Sequence, residues 1–245
     1  MLSRLRDWSQ HMLARLPSAL PSCCALCGME AAETLCDGCT VQHFAQRRQR
    51  CTRCAHPLST ANDALCGDCL QQAPAFDATI VAADYAPPVD QLVLALKFGN
   101  RLALAPLLAR MLHGAALQAQ DISPPALLTA VPLGSRRLNE RGFNQALEIA
   151  KPLSRALGAT LDARLVERQR ETASQALLHP DERKKNMKRA FIVPSRSMDR
   201  VRGAHVGVVD DVMTTGATLN ELAATLKRFG AVRVTNFVFA RTLPN

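Results

Sequence analysis

Aromatic side chains are scarce in this chain of 245 residues, which holds one Trp, one Tyr and eight Phe. A protein that gripped nucleic acid by stacking bases on rings would need more of them, so any such binding has to rest on charge. Long apolar runs are missing too. Residues 1–22 mix Arg4, Arg6, His11 and Arg15 with Leu2, Leu5, Trp8, Met12, Leu13 and Leu16, leaving no stretch long enough for a signal-peptide core or a membrane span. The expectation is a cytoplasmic protein that is not an integral membrane protein, with residues 1–22 as an amphipathic helix docking on its own body or on a partner. Acidic residues are outnumbered, 21 against 30 Lys and Arg, and the net charge of +9 favours an anionic partner without choosing among nucleic acid, membrane surface and phosphorylated metabolite. One loop lacks a single residue that matters. No Lys follows Gly216 in Thr214-Thr215-Gly216-Ala217-Thr218, which excludes the glycine-lysine loop that grips a triphosphate.

That loop belongs to the most informative stretch of the chain. Val206, Val208 and Val209 read as a buried parallel strand, Asp210 and Asp211 follow where the strand is expected to end, and Leu219, Leu222, Ala223, Leu226 and Phe229 recur at helical spacing. A small-residue loop between a parallel strand and a helix gathers backbone N–H groups and the positive end of the helix dipole at one point, which suits a phosphate. Gly216 permits close approach of the backbone. Ionised carboxylates only accept hydrogen bonds, so beside a phosphate they suit sugar hydroxyls. The plain alternative is a strand-to-helix turn whose carboxylates merely cap the helix.

Eight of the nine cysteines form four C-x-x-C pairs: Cys24 and Cys27, Cys36 and Cys39, Cys51 and Cys54, Cys66 and Cys69. In a reducing compartment such pairs suit tetrahedral Zn²⁺, and four thiolates leave no position open for catalysis. Two structural Zn²⁺ sites are expected, one from the first two pairs and one from the last two, in a double zinc ribbon over 23–72. The spacing leaves interleaved pairing open, with redox dithiols as the other reading, and Cys23 is surplus. Arg47, Arg48, Arg50 and Arg53 make the region between the sites basic.

Residues 73–245 have the pattern of an α/β domain. Strands are expected at Thr79 to Tyr85, Leu127 to Val131, Leu161 to Val166, Ala190 to Val193 and Val232 to Ala240, with helices over Val89 to Phe98 and Leu102 to Leu117. Pro132 to Gln145 reads as a loop running into a helix that lasts to about Leu157. Glu167 to Arg189 is polar, basic and too long for an idle connection, as a mobile lid would be. The chain ends five residues after Ala240, so an acceptor pocket is expected to draw on Tyr85, Lys97 and Phe98.

Val208 to Thr218 resembles the phosphoribosyl pyrophosphate (PRPP) signature of type I phosphoribosyltransferases. That resemblance implies a parallel sheet flanked by helices, Asp210 and Asp211 on the ribose hydroxyls, and Val212, Met213, Thr214, Thr215, Gly216, Ala217 and Thr218 around the 5′-phosphate. It also implies that Leu133, Gly134, Ser135 and Arg136, helped by Arg137 or Arg141, cradle pyrophosphate carried with Mg²⁺. With the cysteine knuckles, Lys97-Phe98-Gly99, Arg141-Gly142-Phe143-Asn144-Gln145, Gln175, Arg183 and Asn186, the chain is similar to the ComF family beyond residue 22. Membership implies a link to competence and to uptake or use of external DNA but does not fix the chemistry; the first reading of that chemistry is phosphoribosyl transfer to an unknown acceptor with release of pyrophosphate. The alternative is a non-catalytic single-stranded DNA-binding accessory or PRPP sensor, placed at the inner face of the membrane beside a DNA-import helicase or channel. Arg183, Lys184, Lys185, Lys188, Arg189, Arg196, Arg200 and Arg202 would carry that DNA binding.

Overall fold

The computed structural model describes residues 22–45, 48–58, 63–119, 122–169 and 190–243. The expected amphipathic helix and nearly all of the expected lid lie outside them. The chain divides into two compact units, Met1–Gln46 and Arg47–Asn245, so the boundary falls between the second and third C-x-x-C pairs. No helix among the described residues is long and apolar enough to cross a membrane.

The first unit is small. Strand β1 (Ser22–Cys23) pairs antiparallel with β2 (Glu30–Ala31). A turn of helix α1 (Asp37–Thr40) follows, capped by Cys36, whose sulfur accepts from the Cys39 N–H at 3.4 Å, and it runs on into a π-helical turn at Val41–Ala45.

The second unit opens with the other pair of knuckles and helix α2 (Gly67–Gln71), then enters the sheet through β3 (Ala78–Asp84). Helix α3 (Asp90–Phe98) leads through a 3₁₀ turn at Leu102–Leu104 into α4 (Ala105–Leu117), with Pro106 in its first turn, where a missing N–H does no harm. Strand β4 (Leu127–Ala130) is followed by α5 (Ser135–Arg141), α6 (Gln145–Leu157) and β5 (Thr160–Leu161). The antiparallel pair β6 (Glu167–Arg168) and β7 (Phe191–Ile192) brackets the undescribed segment. After a 3₁₀ turn at Ser195–Ser197 come α7 (Met198–Val201), β8 (His205–Met213), α8 (Ala217–Arg228) and β9 (Arg233–Arg241).

The main sheet has the order β3-β9-β8-β4-β5, with every neighbouring pair parallel. β8 is the middle strand, buried from Val206 through Val209, which is why it reads as a continuous β-branched run. Leu219, Leu222 and Leu226 of α8 join Val206, Val208, Val234 and Val238 in one apolar cluster, which burial drives. Helices α4 and α6 pack on each other and on the sheet, with Leu107, Leu108, Leu112, Ile149 and Leu153 fully buried. Gly207 lies where a Cβ would come within 2.7 Å of Pro125 Cγ and 3.1 Å of the Phe237 ring, so the strand needs its missing side chain there.

Three local expectations change. The strand carrying the acidic pair runs on to Met213, placing Asp210 and Asp211 inside β8 rather than at its end. The loop after β4 contains the helix α5, stopped by Gly142 at φ +79°; Asn144 then caps α6 by accepting from the N–H groups of Ala146 at 3.0 Å and Leu147 at 3.4 Å. Of Leu161 to Val166 only Leu161 is strand, because Asp162 accepts the Arg164 N–H at 2.9 Å and turns the chain.

Candidate functional site

Strands β4 and β8 are parallel neighbours, with the Val131 N–H donating to the Val209 carbonyl at 2.9 Å, so the segments that follow them emerge at one sheet edge. There they border a cleft of about 820 Å³. Asp210, Asp211 and all of Val212 to Leu219 line it, with Leu133, Arg136, Arg137, Arg141, Gln145 and Arg168 facing them. Gly134 caps α5 and Ser135 begins it; neither is among the lining residues. Tyr85, Leu94, Lys97 and Phe98 complete the wall.

The two carboxylates sit in different surroundings. Asp211 is 3% exposed and lies 2.6 Å from Lys97 Nζ, a long-range ion pair with little water to weaken it. The Asp210 carboxyl is pushed well above the usual carboxylate range by burial and by the like charge of Asp211, with Lys97 pulling the other way. Asp211, held by Lys97, offers acceptor lone pairs to hydroxyls, and Asp210, which keeps its proton to higher pH than an ordinary carboxyl, can donate as well as accept. Lys97, expected only as pocket lining, therefore reaches the acids themselves.

The turn beyond β8 is built around Gly216, which adopts φ +77° at the N-terminus of α8. The Thr215 hydroxyl accepts from the Ala217 N–H at 3.3 Å, and the Gly216 carbonyl accepts from the Asn220 N–H at 2.8 Å. A Cβ on Gly216 would sit 2.4 Å from the Met213 methyl, and Met213 is buried. Gly216→Ala is expected to lose about 1–2 kcal/mol of stability from the left-handed backbone alone. Urea unfolding measures it, and a variant as stable as the parent would show that the turn is not held in this form.

Cations oppose the acids across the cleft. The Arg141 guanidinium stacks over the Phe98 ring at 5.3 Å from its centroid and donates to the Gln145 carboxamide oxygen. Burial lowers its pKa while the charge of Asp211 raises it. Phe98 keeps 72% of its surface exposed although it borders the cleft.

The cysteines gather into two groups in sequential order, Cys24 with Cys27, Cys36 and Cys39, and Cys51 with Cys54, Cys66 and Cys69. Within each group the sulfurs lie within 4.8 Å of one another. A tetrahedral zinc tetrathiolate with bonds near 2.3 Å requires sulfurs about 3.8 Å apart; Cys27 to Cys36 measures 3.7 Å and Cys54 to Cys66 measures 3.5 Å. Burial raises the Cys24 thiol, but N–H groups of Cys27, Cys36 and Leu26 bring it down to about 6, whereas burial and the neighbouring sulfurs push Cys39 up to about 12. Four sulfurs at tetrahedral spacing in each group make both donor sets fit Zn²⁺, which binds the deprotonated thiolates. Cys23 is exposed on β1, outside the group.

The second cysteine group is continuous with the sheet domain. The Thr52 carbonyl accepts from the Thr79 N–H of β3 at 3.2 Å, and Cys54 packs against the cluster that contains Phe76 and Val238. Arg241, at the end of β9, donates from Nε to the Cys54 carbonyl at 3.2 Å and from Nη1 to the carbonyls of Met213, at 3.2 Å, and Thr214. Sequence reasoning missed this residue; a charge directly after the apolar run Phe237 to Ala240 was the one available sign.

Residues 144–242 match the model of the phosphoribosyl transferase domain. The chain is 39% identical over 229 residues to the DNA utilization protein YhgH of Escherichia coli K12, covering 91% of this chain and 99% of that protein. It is 32% identical over 214 residues to competence protein F of Haemophilus influenzae, covering 86% and 92%. Among solved structures, an allosteric regulatory enzyme of purine biosynthesis overlaps 56% of this chain and 25% of its own at 18% identity and a TM-score of 0.37, too partial to inform on the site. The sheet, the acidic pair with its turn, the cysteine groups and near full-length identity to these two relatives agree: the chain belongs to the ComF family and carries its phosphoribosyltransferase domain.

Proposed function

We propose that the protein binds PRPP in the β8–α8 cleft and transfers its phosphoribosyl group to an acceptor, releasing pyrophosphate. The observation that carries this is the convergence, on one cleft, of the Asp210–Asp211 pair, the Gly216 turn and the arginines after β4. Asp210 and Asp211 accept from the ribose 2′ and 3′ hydroxyls. Val212 to Thr218 surround the 5′-phosphate at the N-terminus of the 12-residue helix α8, where N–H groups and the dipole favour an anion. Arg136, Arg137 and Arg141 face the pyrophosphate, whose departure leaves positive charge on C1′ that the two carboxylates stabilise. Mg²⁺, when bound with the substrate, would supply further positive charge against the leaving anion. Tyr85, Lys97 and Phe98 form the acceptor wall, the protein works in the cytoplasm, and the two Cys₄ groups hold structural zinc.

Calorimetric titration of the full chain with Mg²⁺ and PRPP, followed by pyrophosphate release over a panel of nitrogenous acceptors, tests the proposal. Micromolar binding with acceptor-dependent release is expected; a folded, zinc-loaded protein that binds no PRPP rejects it.

A second reading is a single-stranded DNA-binding accessory beside a DNA-import helicase or channel. It draws on the net charge of +9 and on the names of the two relatives. Part of the expected basic stretch is already engaged: Arg196 pairs with Glu167, Arg200 with Asp162 and Arg202 with Asp199. Residues 183–189 lie outside the described part. DNA affinity that falls steeply with salt is the result this reading requires.

A further inference from the structure

We infer that Arg241 is a positioning residue that ties the Cys51–Cys54–Cys66–Cys69 site to the turn after β8, so that metal held by those thiolates sets the shape of the proposed phosphate pocket. The inference rests on the PRPP reading only for what the turn binds.

Arg241 is 9% exposed and ends β9 opposite Met213 in the parallel register. A buried guanidinium needs acceptors for its fixed fork of donors, and here they come from two separate segments. One is the second knuckle, through the Cys54 carbonyl; the other is the phosphate turn, through the carbonyls of Met213 and Thr214. The neighbouring Thr242 reinforces the second contact, its N–H donating to the Met213 carbonyl at 3.0 Å. In a planar trans peptide the carbonyl and the next N–H point in opposite directions. Holding the carbonyls of Met213 and Thr214 on Arg241 therefore turns the N–H groups of Thr214 and Thr215 away from it, and both residues line the cleft.

The knuckle end of the tie depends on the thiolates. The Cys51–Cys54 turn closes with the Ala55 N–H donating to the Cys51 carbonyl at 2.8 Å; its Cys51 side packs on the other cysteines, Leu58 and Leu65, and only Cys54 also reaches the main apolar cluster. Four thiolates on a dication leave a net charge of about −2, which favours a buried cation nearby. Without the metal that charge pattern goes, and with it the fixed position of the Cys54 carbonyl. Arginine is required at this position because a lysine ammonium reaches one of the two segments, not both.

The experiment uses the full chain carrying Cys27→Ser and Cys36→Ser, so that chelation reports on the second site alone. Hydrogen exchange of peptides covering residues 212–218 is followed by mass spectrometry with zinc bound and after its removal, in this background and with Arg241→Lys or Arg241→Met added. Zinc removal is expected to speed exchange in that peptide about tenfold or more, as loss of a charge-assisted hydrogen bond implies. Arg241→Lys should exchange fast with zinc still bound and respond little to chelation. A peptide indifferent to zinc, or one that responds equally in the Arg241→Lys protein, overturns the inference. If Arg241→Met fails to fold, the Lys variant still decides. PRPP titration alongside separates the two ideas: coupling in exchange without any PRPP binding sinks the ligand reading and leaves the tie standing.

Discussion

Exchange of both Asp210 and Asp211 for Asn is expected to weaken PRPP binding by more than about a hundredfold, since each carboxylate would lose charge-assisted hydrogen bonds worth about 1.5–3 kcal/mol. The single variants should separate by stability. Asp210 has a raised pKa from burial and from the Asp211 charge, so in the folded state its ionised form is disfavoured. A carboxyl raised in this way stabilises the fold below its unfolded pKa, and that contribution is lost as pH climbs through the folded value. At neutral pH Asp210→Asn removes a group that is costly to bury ionised and that the unfolded chain would ionise, and the melting temperature should rise while ligand binding fails. Asp211→Asn does the opposite. It strips Lys97 of the carboxylate 2.6 Å away, leaving a mostly buried ammonium with a poorer partner, and stability should fall by about 1–3 kcal/mol. Thermal scans at pH 5 and pH 8 with a parallel titration settle the matter. Undiminished PRPP affinity in the double variant would remove the acids from the site, and equal stability shifts in the two single variants would contradict their different surroundings. Opposite signs are what a site held ready for a ligand should show, because function keeps Asp210 against the interest of the fold.

Cys51→Ser should have the largest effect on folding. Cys51 is fully buried at the centre of the second cysteine group, and metal binding to a structural Cys₄ site is worth about 10–16 kcal/mol in small zinc domains. That is as large as the whole stability of an ordinary domain. A serine oxygen in place of the thiolate forfeits much of it, and the consequences pass into the sheet. Thr52 no longer holds the N–H of Thr79 on β3, Arg50 loses its place against Asp84, and Arg241 loses the Cys54 carbonyl. A destabilisation of several kcal/mol is expected, lowering the melting temperature by about 10 °C or more for a unit of this size. One zinc fewer per chain by elemental analysis should accompany it. Retention of both metals, or an unmoved transition, would mean that the knuckle is an appendage rather than part of the domain.

Much of the architecture could be read along the chain, for physical reasons tied to particular residues. Val206, Val208 and Val209 announce a strand covered on both faces because only a central parallel strand has no use for polar alternation. Thr214 to Thr218 announce a tight turn before a helix because Gly216 takes the left-handed backbone and the small and hydroxyl side chains leave N–H groups accessible. The sequential pairing of the knuckles needed coordinates, since four C-x-x-C units are compatible with more than one tetrahedral partner set. Helix α5 hid in what looked like a loop because its seven residues, rich in charge, bury none of their side chains. Leu161 to Val166 looked like a strand by composition, but the Asp162 side chain captures a backbone N–H and ends it.

The order of chemical types along the chain was enough to determine the family, the layered α/β domain, the acidic pair with its turn and the four C-x-x-C knuckles, because each is a local pattern legible at short range. Tertiary structure alone decided that Lys97 meets Asp211, that the second cysteine group is built into the sheet domain, and that Arg241 joins that group to the turn. Those are contacts between segments far apart in the chain, where a lone Lys or Arg carries no mark of its partner until packing removes the water that would otherwise have solvated it.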